Sequence, residues 1–196
     1  MTVFLQILFA ALAAVTTENL LFSGGIGFSR VLRAARKPNT LALYSLLIAL
    51  YSMAAMLINA GLYPFFQDGD LLIFVRPAVF TACIVAVYAI SAVALKTLAA
   101  NFYKKYGSVF SLSAINTVVL SMPYAQKSFK LGLPEAAGFA LGTGAAFFLA
   151  AVVLSYATGR FRDEEMPKAF SGMPAAYLYI GILSLAFAGL TGGKLF

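Results

Sequence analysis

The chain has 196 residues, 62 % of them hydrophobic and 11 % charged, with a mean hydropathy of +0.90. A soluble domain of that composition would expose too much apolar surface to water, so the sequence describes an integral membrane protein. Its formal charge of +7, from 14 Lys and Arg against 7 Asp and Glu, belongs with loops at a membrane face and not with nucleic acid, while one Cys and no His exclude an internal disulfide, a zinc site and an iron–sulfur cluster held by this chain alone.

Each crossing needs about 20 apolar residues, since about 30 Å of hydrocarbon is covered at about 1.5 Å per residue. Six segments answer that description: 3–28, 41–65, 71–95, 109–124, 136–157 and 173–190. The first lacks the positive region and the cleavage pattern of a signal peptide and is expected to be retained. It is interrupted by Thr16, Thr17, Glu18 and Asn19 and then by Gly24, Gly25 and Gly27. A loop with Arg30, Arg33, Arg36 and Lys37 follows. The second segment carries Tyr44, Tyr51 and Tyr63, with Phe65 and Phe66 at its outer edge, as interfacial anchors and packing groups. In the third, Cys83 reads as a small hydrophobe; the loop after it holds Lys96, Lys104 and Lys105.

The fourth segment is the shortest and carries Ser111, Ser113, Asn116, Thr117 and Ser121. In the fifth, Gly138, Gly142 and Gly144 of "GFALGTG" predict close helix approach. Its following loop has Arg160, Arg162 and Lys168 beside a solvated Asp163–Glu165 run. The odd-numbered loops thus hold ten of the 14 Lys and Arg, which places them in the cytoplasm and both termini outside.

Segments one and four are both polar and interrupted, and they open the two halves of a three-plus-three arrangement. Because three is odd, the second half runs through the membrane upside down relative to the first. The expected fold is therefore all-α and integral to the membrane: a single six-helix domain over 1–196, built as two inverted three-helix repeats (about 1–100 and 101–196), with interrupted first and fourth helices that meet near the midplane.

Glu18 lies about 15 residues below the outer end, near mid-depth at about 1.5 Å per residue. A carboxylate there must be protonated, paired or wet. Glu18, Asn19 and Asn116 are candidates for a cation or proton pathway; a bond from Glu18 to a neighbouring protein in the membrane is the other reading.

Three stretches carry a family resemblance: "ENLLFSGGIGFSRV", "SAINTVVL" and "MPKAFSGMPAAYLYIGILSLAFAGLTG". With them the whole chain resembles the RnfA/NqrE-type membrane subunits of the Rnf and Nqr electron-transport complexes, whose sister type is RnfE/NqrD. The resemblance implies a multi-pass protein of a bacterial-type plasma (inner) membrane, paired with a sister six-helix subunit, together with further subunits carrying flavin or iron–sulfur centres. In that family two cysteines, with two from the sister, hold a 2Fe-2S cluster. Ser29 and Thr117 stand at those positions here and are not expected to be ligands, so no cofactor is expected within this chain.

The leading reading is a membrane subunit of an Rnf/Nqr-type ion-translocating oxidoreductase complex, supporting electron transfer coupled to Na+ or H+ movement. The alternative is a standalone inverted-repeat transporter binding a cation or small solute at Glu18, Asn19, Asn116 and Thr117; a structural scaffold is the third. Without a His base or a triad-like nucleophile, catalysis by this chain alone is not supported.

Overall fold

The computed structural model describes residues 2–62, 64, 72–160, 167 and 169–190. Among these the regular elements are helical: α1 (Val3–Val15), α2 (Phe28–Ala35), α3 (Leu41–Leu62, preceded by a 3-10 turn at Pro38–Thr40), α4 (Leu72–Leu98), α5 (Ala100–Ala114), α6 (Thr117–Leu120), α7 (Met122–Ser128), α8 (Leu133–Thr158) and α9 (Met173–Leu190). Tyr63, Phe65, Phe66, Arg162, Lys168, Lys194 and the Asp163–Glu165 run lie outside the described residues.

Four stretches are long and apolar enough to cross a membrane: Pro38–Leu62, Val75–Leu98, Ala100–Ser128 and Leu133–Ala157. Val3–Val15 and Met173–Gly189 are shorter apolar helices. The interruption expected in the first segment is present: α1 ends after 13 residues, about 20 Å of helix. The polar residues and glycines from Thr16 to Gly27 end it, as their low helix preference dictates.

α3 and α8 pack against each other at the centre; α8 also carries α1 and α2, while α3 carries α5, α6 and α7. Glycine makes this possible. A Cβ at Gly138 or Gly142 would collide with the backbone carbonyl of Ile7 or Ala11 on α1, and one at Gly144 would come within 2.6 Å of Ala49 Cβ on α3. The predicted "GFALGTG" stripe therefore serves two neighbours, with Gly138 and Gly142 one turn apart facing α1 and Gly144 facing α3. Phe139, Phe147 and Leu154 fill the space between them. Phe4, Leu50 and Leu185, by contrast, are more than half exposed, as side chains that meet lipid are.

Two tyrosines prove to be packing groups. Tyr44 is buried and stacks on Phe147 with ring centroids 5.3 Å apart, and the Tyr51 hydroxyl bonds Ser91 Oγ at 2.7 Å, tying α3 to α4.

Two stretches read as loops are helical. α2 takes up Arg30 and Arg33 because Val31, Leu32, Ala34 and Ala35 recur on one face and bury it against the core. α5 begins at Ala100, with only Ala99 between it and the end of α4, so Lys104 and Lys105 lie on a helix. There the ammonium of Lys105 sits 5.1 Å from the Tyr106 ring centroid, and that of Lys96 5.2 Å from the Tyr103 ring.

Candidate functional site

The site is built from the two interruptions. At the first, Thr16 Oγ1 donates to the Leu12 carbonyl at 2.8 Å and the Glu18 amide to the Ala13 carbonyl at 2.8 Å, closing the last turn of α1. Asn19, 2 % exposed, then staples both sides of the break. Its Nδ2 donates to the Val15 carbonyl at 2.8 Å, and its Oδ1 accepts from the amides of Leu21 at 3.0 Å and Phe22 at 3.2 Å. These bonds satisfy backbone groups that a helix end leaves unpaired. Phe22 is held from outside by Phe187 of α9, its ring stacked at a centroid distance of 4.4 Å.

At the second, α5 ends at Ala114 and α6 restarts at Thr117. Asn116, fully buried, is the cap of the new turn, its Oδ1 accepting from the Val118 amide at 3.2 Å. Asn19 and Asn116 thus do the same job at the two breaks: each accepts the amide two residues on.

The breaks touch. Gly27, at φ +89°, lies so close to Val118 that a Cβ would strike its side chain, and the same Cβ would lie 3.6 Å from Asn116 Oδ1. Both the positive φ and the close approach require glycine. Three residues on, Arg30 Nη2 donates to the Ile115 carbonyl at 3.4 Å. That carbonyl sits where the helical ladder is interrupted, and the guanidinium is a fixed positive group beside it.

Of the predicted residues, Ser29 in the first turn of α2 and Thr117 in the first turn of α6 are both exposed, next to Gly27–Arg30 on one side and to Ile115, 44 % exposed, on the other. No hydrogen bond joins Glu18 or Asn19 to Asn116 among the described residues, and the Glu18 carboxylate has neither a hydrogen bond nor an ion pair there. The oxygens of both asparagines are committed to backbone amides, and the open end of Asn116 is its Nδ2, a donor with no partner. Ser23 Oγ and Ser113 Oγ, near the same two breaks, are also buried without partners. Glu18 is therefore the one of the three pathway candidates with an uncommitted oxygen for a cation or proton.

The donor set does not fit an iron–sulfur cluster. Ser29 and Thr117 offer neutral hydroxyls, which are weak donors to iron. Cys83 is on α4 and in neither break, and no group of three or more His, Cys, Asp or Glu side chains able to hold a metal occurs among the described residues. Sequence reasoning missed Arg30, counted as a loop charge, and a cluster of Asn59, Arg76 and Gln126, whose bonds run across helices.

Comparison with known proteins bears on this geometry. A family model described as "Rnf-Nqr subunit, membrane protein" matches residues 7–193. The A-type subunit of the proton-translocating ferredoxin:NAD(+) oxidoreductase complex of Clostridium ljungdahlii is 26 % identical over 121 residues, 62 % of this chain and 63 % of the relative, so the chain spans a little under two thirds of that relative. The E-type subunit of the Na(+)-translocating NADH-quinone reductase of Neisseria meningitidis is 22 % identical over 189 residues, covering 93 % of this chain and 95 % of the relative. Its counterpart from Chlamydia pneumoniae is 23 % identical over 193 residues, covering 92 % of this chain and 75 % of the relative.

Proposed function

The chain belongs to the Rnf-Nqr family of membrane subunits, and from that premise we propose that it works as a membrane subunit of an ion-translocating oxidoreductase complex, paired with a sister six-helix subunit while supporting electron transfer coupled to Na+ or H+ movement. The observation that carries the reading is the meeting of the two breaks, Gly27 against Val118 and Arg30 on the Ile115 carbonyl, in a chain matched by that family along nearly its whole length. An inverted repeat accounts for the pairing of the helices: α8 packs on α1 and α2 as α3 packs on α5, α6 and α7, and Asn19 and Asn116 cap in the same way. The bias of Lys and Arg toward the odd loops supports termini on the outer side.

In this reading the exposed Ser29, Ile115 and Thr117 form the face that meets the sister subunit, and the chain contributes no ligand to a cluster there. Its own groups do other work. Arg30 holds a positive charge beside the interface, where an electron arriving nearby is favoured by an electropositive setting. Glu18 offers a carboxylate in the first break to a proton or cation passing along the same interface.

The test is purification of the tagged chain from its native membrane under mild detergent. Co-purification of a second six-helix subunit with flavin- or iron–sulfur-bearing subunits supports the reading. Recovery of the chain alone, with solute uptake by liposomes that contain only this protein, would replace it with the standalone transporter.

A further inference from the structure

Where the two breaks touch, hydrogen-bond donors outnumber acceptors. α2 starts there, and its N-terminal amides, those of Gly27, Phe28 and Ser29, make no hydrogen bond among the described residues. No acid stands in its first turn. Every helix start leaves such amides over, and water or a side-chain oxygen ordinarily receives them. Lipid offers neither.

A further donor, independent of the helix end, lies against it. Asn116 is fully buried, and its side-chain oxygen would be 3.6 Å from a Cβ at Gly27, the N-cap of α2. That oxygen accepts from the Val118 amide, while Nδ2 of the same planar group has no partner. Asn116 cannot turn its oxygen to the α2 amides without releasing Val118, so the acceptor must come from elsewhere.

Arg30 adds charge to the same place. Of its five donor hydrogens one goes to the carbonyl of Ile115, the residue before Asn116, at 3.4 Å. Among the described residues no carboxylate pairs with it, Glu18 included. The surface beside these groups is open, since Ser29 and Thr117 are exposed and Ile115 is 44 % exposed.

The charge decides which acceptor fits. A backbone carbonyl from a neighbour would receive one amide and leave the guanidinium uncompensated, which is costly once the face is covered and dry. A carboxylate brings two oxygens with about four acceptor positions. Its negative charge is favoured both by the N-terminus of α2 and by Arg30.

We propose that the meeting point of the breaks receives an Asp or Glu side chain of the sister subunit, held by the Phe28 and Ser29 amides and the Arg30 guanidinium, with Asn116 Nδ2 behind them. The inference rests on the sister-subunit reading and names the chemistry of that contact.

Two substitutions at the exposed Ser29 test it. Ser29→Asp supplies the carboxylate from within the chain. The isolated variant should melt about 1–3 °C above the parent. Recovery of the sister from the native membrane should fall at least about tenfold, because two carboxylates then compete for one set of donors. Ser29→Lys instead places an amine beside the seated carboxylate. Carbodiimide treatment of the purified complex should join that amine through an amide bond to an Asp or Glu of the sister, located by peptide mass spectrometry. Unchanged melting of Ser29→Asp, parental recovery of the sister with it, or no coupling of Ser29→Lys to an acidic residue of the sister would each overturn the proposal and leave the sister-subunit reading standing. If the parent chain itself brings down no sister, both fall together.

Discussion

Arg30 and Ile115, 85 residues apart in sequence, are joined where the two interrupted segments meet: the guanidinium donates to the carbonyl at 3.4 Å. A backbone acceptor released by a helix break in a membrane must find a donor within the protein, because lipid supplies none. The bond is long, so its net contribution is about 1 kcal/mol and not the larger value of a short charge-assisted bond. Arg30→Gln should lower the melting temperature of the detergent-solubilised protein accordingly. Lys at the same position keeps the charge and should recover part of the loss.

The two asparagine caps differ in how much they hold. Asn19 makes three hydrogen bonds across its break and Asn116 makes one side-chain bond across its own. Asn116→Ala should cost about 1 kcal/mol, the usual loss of a helix cap, and Asn19→Ala about twice that. Hydrogen exchange should report the difference locally: the Leu21 and Phe22 amides lose protection in Asn19→Ala, the Val118 amide in Asn116→Ala.

Helix approach along α8 can be tested by contrast. A Cβ added at Gly142 collides with the Ala11 carbonyl, whereas one added at Gly181 of α9 meets nothing within 4 Å. Gly142→Ala should cost about 1–3 kcal/mol by forcing α1 away, while Gly181→Ala should be neutral or stabilise by up to about 1 kcal/mol. Thermal denaturation of the two variants side by side checks both signs. If Gly142→Ala melts with the parent, α1 does not pack against α8 through this glycine.

How far these features were legible from sequence depended on whether they are local. Apolar length alone located α9 at Met173–Leu190, and the cluster of Thr, Asn and Gly announced the first break. The spacing of Gly138 and Gly142 announced a close helix pair, though not that its partner is α1. α2 was hidden because the four cations in and just after it look like a loop until Val31 and Leu32 are given a core to face. The contact of Gly27 with Val118, the Arg30 bond and the Asn59–Arg76–Gln126 network join residues that are distant in sequence, and no local pattern encodes such pairings. The capping role of Asn116 was within reach, since an Asn before an apolar run after a break is a cap signal.

The interface reading of Ser29 and Thr117 is open to a labelling test. Both are exposed in the isolated chain. In a Cys83→Ser background, Ser29→Cys and Thr117→Cys should react readily with a maleimide when the chain is isolated and slowly in the purified complex. Equal reactivity in the two preparations would place the sister subunit on another face.

Glu18 separates structure from transport most cleanly. Its carboxylate has no hydrogen bond or ion pair among the described residues, so replacing it with the isosteric amide removes no native contact. Glu18→Gln should therefore change stability by no more than about 0.5 kcal/mol. The amide cannot take up or release a proton and holds a cation less well, so ion movement by the complex in proteoliposomes should fall while the subunits remain assembled. A variant that moves ions at the parental rate would remove Glu18 from the pathway. Loss of assembly in the same variant would instead assign the carboxylate to a bond with the neighbouring subunit. Melting temperature, subunit recovery and ion flux, measured on one preparation, therefore distinguish a pathway carboxylate from an interface carboxylate.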